Sequence, residues 1–329
     1  MNQYSRILVT GASGFLGSHI VPVLELQRPE TEIIPVERSE YDLLCAPEID
    51  RMLRDIQPDV VINLAARVGG ITANIRYPAD FFFENIQLVT RVFHACQQAG
   101  VKKLVTFLAG CAYPAGAESP LNEDDIWDGY PQFESAPYSI ARKTVLTQSE
   151  AYRRQYGFNS IVLIPGNLYG EHDDFSAESS HVIPALIRRF VEAKEAGTPE
   201  VVCYGTGRPV RDFVHAGDVA TLVPWFLDNY DTSEPVNIST GRGTSIRDLA
   251  EKIRRIVGYD GEMVWDASKP DGQMERTFDI SRLHDLGLRC DTALEAGLRR
   301  TVAWFLEARP VCGADSGEVQ APPERRRDR

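Results

Sequence analysis

Three short stretches of this chain carry residues able to move protons: Ala109-Gly110-Cys111, Tyr138 with Arg142 four places on, and His181. An unperturbed thiol titrates at about 8.5 and an imidazole at about 6.5, so Cys111 and His181 bracket neutral pH and can share the tasks of base and acid. A hydrogen on a carbon beside a ketone suits such a pair, because its removal gives an enolate. Inverting that carbon needs a base on one face and an acid on the other. Tyr138 can donate a hydrogen bond to the carbonyl oxygen. Arg142 stands about one helical turn further on and brings a positive charge, though not a compact, mobile ammonium. Lys143 is roughly 100° around the helix from Arg142 and is not its substitute. Alone, Cys111 would read as an inert buried thiol and His181 as a loop histidine with a structural hydrogen bond.

These residues need a frame. Arg6–Thr10 is an apolar run that ends in Gly11-Ala12-Ser13-Gly14-Phe15-Leu16-Gly17, followed by a helical pattern to about Gln27 and a second apolar run over Glu32–Val36. Glycines at i, i+3 and i+6 let the backbone turn tightly and let a pyrophosphate reach the helix N-terminus, where free N–H groups favour anions. Glu37, 20 residues past Gly17, could accept bonds from an adenosine ribose, which favours NAD; Arg38 could pair with a 2′-phosphate, which favours NADP.

Further buried-strand candidates are Asp59–Leu64, Leu104–Leu108 and Ser160–Ile164, with helical stretches near 80–99 and 139–156 between them. This alternation predicts an α/β fold, a Rossmann-like doubly wound parallel sheet with a smaller C-terminal substrate-binding lobe. Residues 1–170 and roughly 206–240 are expected to form the dinucleotide-binding domain, and 171–205 with 241–309 the lobe. After Gly170 come a polar loop to about 184, a helix over 184–196, a strand near 201–204, a loop around Arg211 and helices over 245–257 and 293–307. Residues 310–329, rich in Pro, Gly and charge, read as a disordered tail.

A net charge of −12 over 329 residues argues against a nucleic-acid partner. No apolar run approaches the ~20 residues that span a bilayer, and Met1-Asn2-Gln3-Tyr4-Ser5-Arg6 runs straight into a strand pattern, so neither a membrane anchor nor a signal peptide is expected. The six cysteines are scattered and read as free thiols of a reducing cytoplasm, with no zinc spacing. His19, His94, His172, His215 and His284 likewise show no metal-ligand spacing and read as structural or surface residues.

Several motifs then carry a resemblance. They are Asn63-Leu64-Ala65-Ala66-Arg67-Val68-Gly69-Gly70-Ile71, Tyr77-Pro78-Ala79-Asp80-Phe81-Phe82-Phe83-Glu84-Asn85, Cys111-Ala112-Tyr113-Pro114 and Ala136-Pro137-Tyr138-Ser139-Ile140-Ala141. Asn167-Leu168-Tyr169-Gly170, Ser179-Ser180-His181-Val182-Ile183-Pro184-Ala185, Arg211-Asp212-Phe213-Val214 and Lys269-Pro270-Asp271-Gly272 complete the set. Over nearly its whole length the chain resembles the GDP-L-fucose synthases, extended short-chain dehydrogenases of the NAD-dependent epimerase/dehydratase type. Members epimerise a GDP-4-keto-6-deoxymannose at carbons 3 and 5, then reduce carbon 4 with NADPH.

The resemblance implies Cys111 as base and His181 as acid. Tyr138 and Arg142 fall on the Tyr-x-x-x-Lys pair, with Arg in place of Lys. Ala109 falls where the family has a Ser or Thr hydroxyl, so the residues for hydride transfer are altered while those for proton transfer are kept. The cofactor is implied to meet Gly11, Ser13, Gly14, Phe15, Leu16, Gly17, Leu64, Ala65, Ala66, Tyr138 and Arg142. The family's 2′-phosphate arginine falls on Arg38, which tilts the choice to NADP with NAD as the alternative; an arginine that some members carry in the glycine turn is Ser13 here. Asn167, Arg189, Tyr204, Arg211 and Arg276 fall on positions that hold the GDP-sugar. A homodimer is implied through the helices near 80–99 and 139–156. The expected function is a GDP-hexose epimerase acting at carbons 3 and/or 5. A full bifunctional epimerase–reductase using NADPH, a GDP-mannose-type epimerase that transiently oxidises its substrate, and a non-catalytic dinucleotide sensor remain as other readings.

Overall fold

Strands β1 (Arg6–Thr10), β2 (Glu32–Val36), β3 (Val60–Asn63), β4 (Lys103–Phe107) and β5 (Ser160–Pro165) alternate with helices α1 (Phe15–Gln27), α2 (Ala46–Ile56), α3 (Ile71–Arg76), α4 (Pro78–Gln98) and α5 (Ala136–Tyr156). These come from a computed structural model that describes residues 4–177, 179–269 and 271–309, the side chains of Ile71 and Thr72 excepted. The tail expected over 310–329 lies outside the described residues. Next come β6 (Asn167–Tyr169), α6 (Val182–Ala196), β7 (Glu200–Tyr204), β8 (Val210–His215), α7 (Ala216–Asn229), β9 (Val236–Ile238) and β10 (Gly243–Ser245). The described chain closes with α8 (Ile246–Val257), β11 (Glu262–Asp266), β12 (Glu275–Arg276), α9 (Ser281–Asp285) and α10 (Leu294–Ala308).

The main sheet is parallel throughout, in the order β2-β1-β3-β4-β5-β9. Strands β3, β4 and β5 are buried along their whole length, which is why they read as unbroken apolar runs and not as alternating ones. One apolar cluster holds α2, α4 and α5 against one face of the sheet; a second holds α1 and α7 against the other. The fold is thus Rossmann-like and doubly wound. Because β2 and β3 lie on opposite sides of β1, the crevice opens beyond Thr10 and Asn63, where the glycine turn and Leu64 begin.

A third cluster joins α6, α8 and α10 to the two-stranded sheet β7–β11. Strand β8 is shared by β6, β10 and β12. The loop expected around Arg211 is therefore the first half of β8. Its ladder to Thr244 and Arg276 makes a strand of a stretch whose charges and Pro209 suggest otherwise.

Lys103 opens β4 fully buried, and its ammonium closes the far end of α7, donating to Phe226 O (2.8 Å) and Leu227 O (2.7 Å) and pairing with Asp231 (2.8 Å). A cation at a helix C-terminus satisfies carbonyls the helix leaves open.

Candidate active site

The glycine turn is built for close approach. Gly11 has φ +68°, and a Cβ there would sit 3.1 Å from Ala65 N and 3.2 Å from the Leu64 carbonyl carbon. A Cβ on Gly17 would fall 2.4 Å from Ala12 O, so only glycine lets α1 start against the turn. Helix α1 has no side-chain cap at Gly14 and no acidic residue in its first turn, which leaves the N–H groups of Phe15, Leu16 and Gly17 facing the crevice for an anion. Ser13 Oγ donates to Glu37 Oε2 at 2.6 Å, tying the turn to the end of β2. The Arg38 side chain is 76% exposed and lies 3.9 Å from Asp42, free to swing towards a phosphate. These residues fit a dinucleotide pyrophosphate.

Cys111 lies on a single 3-10 turn, Gly110–Ala112, just after β4. The ring of Phe278 packs so close to Gly110 that a Cβ there would meet it at 2.6 Å. Tyr138 stands in the first turn of α5 and Arg142 one turn on. The Arg142 guanidinium is buried, donating to Phe107 O (2.6 Å) and Ala65 O (3.3 Å). Burial pushes the Tyr138 phenol up to about 12, partly offset by the Arg142 charge. Burial also raises the Cys111 thiol, opposed by the Ser139 hydroxyl and by the charges of Arg276 and Arg142. Lys143 turns to another side, its Nζ 4.4 Å from the ring centre of Trp127.

His181 is the N-cap residue of α6, 62% exposed, with Nδ1 3.9 Å from Asp173 Oδ1. The Asp173 carboxylate, itself 3% exposed, raises the imidazole's pKa. The loop before His181 reaches the other groups through packing. A Cβ on Gly70 would touch the Ser179 backbone, Gly69 faces the Phe81 ring, and that ring meets Tyr138 edge-on at 6.4 Å. Among the described residues, His181 and Cys111 share no hydrogen bond.

The start of that loop is moored to α1. His19 Nε2 lies 2.9 Å from Glu171 O, and His215 Nε2 lies 3.0 Å from Glu171 Oε2, though poorly aligned. His215 Nδ1 accepts from Gly217 N–H at 3.0 Å, which fixes its proton on Nε2. The rings of His19, His172 and His215 meet edge-on at 5.8–5.9 Å.

Arg211 and Arg276 are register partners on β8 and β12. Arg276 is 8% exposed and its Nη2 is buried without a hydrogen bond; neither arginine has a carboxylate partner among the described residues. Burial, then the Arg276 charge, lowers the Arg211 pKa. Asn167 Nδ2 donates to Asp212 O at 2.8 Å, locking β6 to β8 next to Arg211. Arg189 and Tyr204 form a separate pair, the guanidinium 4.2 Å from the ring centre, with Lys269 Nζ at 5.9 Å from the same 56% exposed ring. Gly272 faces Arg211 Nη2, so the turn after Lys269 borders both groups.

A sequence profile of the NAD dependent epimerase/dehydratase family matches residues 7–239. The chain belongs to that family. It is 39% identical over 311 residues to a GDP-L-fucose synthase of Escherichia coli (strain K12), covering 92% of this chain and 97% of the relative. A GDP-L-fucose synthase 1 of Arabidopsis thaliana is 40% identical over 306 residues, covering 93% and 94%. The crystal structure of a GDP-L-fucose synthetase from Naegleria fowleri bound to NADP superimposes with a TM-score of 0.87 at 29% identity, covering 93% of this chain and 94% of that one.

In this epimerase/dehydratase the structure brings Cys111, Tyr138, Arg142 and Arg276 within electrostatic reach of one another, while His181 is linked to them only through the packing of its loop on Gly70. Sequence reasoning did not single out Ser139, Asp173 or the Glu171–His215 pair. For Asp173 a signal existed, an acidic pair eight residues before His181, but nothing in sequence tells it from Asp174, which instead bonds Ser176 and Ser179.

Proposed function

We propose that this protein epimerises a GDP-4-keto-hexose at carbon 3, carbon 5 or both, with reduction of carbon 4 slow or absent. Cys111 takes the proton from the carbon beside the ketone, and the electron pair moves into an enolate. Tyr138 donates its O–H hydrogen to the enolate oxygen. His181, whose protonated form the Asp173 carboxylate favours, returns a proton to the opposite face, and the carbon is inverted. One observation carries this reading: a thiol beside two buried cations and a phenol, in a chain that also backs the His181 imidazole with the Asp173 carboxylate. The curated relatives' names, GDP-L-fucose synthases and a GDP-L-colitose synthase, support a GDP-sugar.

The glycine turn, Arg38 and the Leu64–Ala66 segment would hold NADP, with Tyr138 and Arg142 at its nicotinamide end. NADPH bound there supplies a hydride for carbon 4. Arg142 gives its donors to Ala65 O and Phe107 O and so cannot act as a mobile ammonium would. Ala109 offers no hydroxyl to the ketone. Both features favour proton transfer over reduction. Arg211 and Arg276 would bind the diphosphate, held in place by Asn167, and Tyr204 with Arg189 the nucleoside side. In this reading residues 1–170 and roughly 206–240 serve the cofactor and 171–205 with 241–309 the sugar nucleotide.

A homodimer through α4 and α5 is part of the proposal, supported by Phe82 and Phe83, 41% and 62% exposed on α4. A reducing cytoplasm suits the free thiol at Cys111.

The test is incubation with GDP-4-keto-6-deoxymannose in heavy water, with and without NADPH. Deuterium gain at carbons 3 or 5 without stoichiometric NADPH oxidation is the expected result. Gain with stoichiometric oxidation makes the protein a full epimerase–reductase, and no gain removes the epimerase reading.

A further inference from the structure

Helix α5 carries three serine or threonine side chains on buried or half-buried positions, and two of them are satisfied. Thr144 Oγ1 donates to Ala141 O at 2.7 Å, and Ser149 Oγ lies 2.7 Å from Ser160 Oγ. Ser139 differs. It is fully buried, yet its Oγ makes no hydrogen bond in the protein, not even to the carbonyl of Ala136 three residues back at the start of the helix. An orphaned buried hydroxyl is costly and calls for a partner. The acceptor it faces is the Cys111 sulfur, since the Gly110–Ala112 turn packs on α5.

We propose that Ser139 is a positioning residue for Cys111, its hydroxyl donating to the sulfur once the thiol ionises and aiming it at the substrate carbon. The contact falls short of a formed bond with the neutral thiol. A thiolate is a much stronger acceptor and completes it. The Arg276 and Arg142 charges and the Cys111 backbone N–H act on the same sulfur, but among the described side chains Ser139 is the one that offers it a directed donor. The inference rests on Cys111 being the base, so its test keeps the two ideas apart.

The experiment follows alkylation of Cys111 by iodoacetamide against pH, read by mass on the Cys111 peptide, in wild type, Ser139→Ala and Ser139→Thr. Deuterium uptake into GDP-4-keto-6-deoxymannose is measured on the same proteins and on Cys111→Ala. Loss of the hydroxyl moves the alkylation profile to higher pH and slows alkylation at neutral pH by about threefold to tenfold. Ser139→Thr restores it, and kcat for exchange in Ser139→Ala falls by a similar factor with KM unchanged. An unshifted alkylation profile in a folded Ser139→Ala protein overturns the proposal, even if exchange slows. A shifted profile together with full exchange by Cys111→Ala upholds the contact and overturns Cys111 as the base.

Discussion

Arg211 and Arg276 sit directly across from each other on parallel strands β8 and β12, with no carboxylate paired to either among the described residues. Two neighbouring guanidinium groups with an unsatisfied buried N–H cost stability, and an anion between them would recover it. Such a pair suits the diphosphate-binding role proposed for it.

Arg276→Met is accordingly expected to act in opposite directions on binding and stability. KM for the GDP-sugar rises by about 10- to 100-fold, the worth of one or two charge-assisted bonds. Thermal unfolding of the free protein shifts upward, by about 1–3 kcal/mol in stability, because an unpaired buried cation is replaced by an apolar chain. Steady-state kinetics and a melting curve on one preparation check both. A melt that drops would show that Arg276 is structurally paired.

The exchange reaction is expected to follow a bell in pH with an unusual assignment. Burial places the Cys111 thiol above its ordinary range, and Asp173 raises His181 from a lower starting point. The productive form, thiolate with imidazolium, is then a minor species. The limb at lower pH belongs to His181 and that at higher pH to Cys111. Asp173→Asn removes the carboxylate, so the lower limb moves to lower pH. The height of the bell falls with it, by about tenfold for each unit moved. A pH–rate profile of deuterium uptake decides this; an unmoved lower limb would take His181 out of the acid role.

Returning a hydroxyl and an ammonium tests the proposal that Ala109 and Arg142 weaken reduction. Ala109→Ser with Arg142→Lys is expected to raise NADPH oxidation per turnover by on the order of tenfold or more, the scale of one added donor at a developing oxyanion. Deuterium uptake changes less. The absorbance of NADPH reports the first and mass the second.

Stability is expected to fall in mild acid. Burial holds His215 neutral, with its pKa lowered to about 4, and lowers His19 as well. An unfolded chain takes up these protons below about 6.5, whereas the native one does not. Stability is therefore fully present above about 6.5 and drains as pH falls from there towards about 4. His215→Asn keeps an acceptor for Gly217 N–H and removes the titration. Denaturant melts across that window become flatter in the variant, and equal slopes would show that His215 does not carry the effect.

The first half of the fold was legible because each element announced itself by its own pattern. The glycines at 11, 14 and 17 mark β1–α1–β2, and the buried runs of β3 to β5 follow from parallel pairing. Later elements obey tertiary demands. Arg211 becomes strand through its neighbours, and α7 runs through Pro224, a residue that ordinarily stops a helix. In the site, Cys111, Tyr138 and His181 stood out by type and context. Ser139 did not, since a serine inside a helix says nothing until its hydroxyl is seen without a carbonyl. Asp173 stood beside Asp174, and burial and partners, seen only in the fold, distinguish them.

His19 belongs to the helix that starts at the glycine turn, and its ring grips the carbonyl of Glu171, two residues before Asp173. The glycine turn and the loop that carries Asp173 behind His181 therefore share one anchor point. A displacement of α1 is passed on to the loop of His181 without crossing the sheet, so the two ends of the chemistry are held to a common frame of reference.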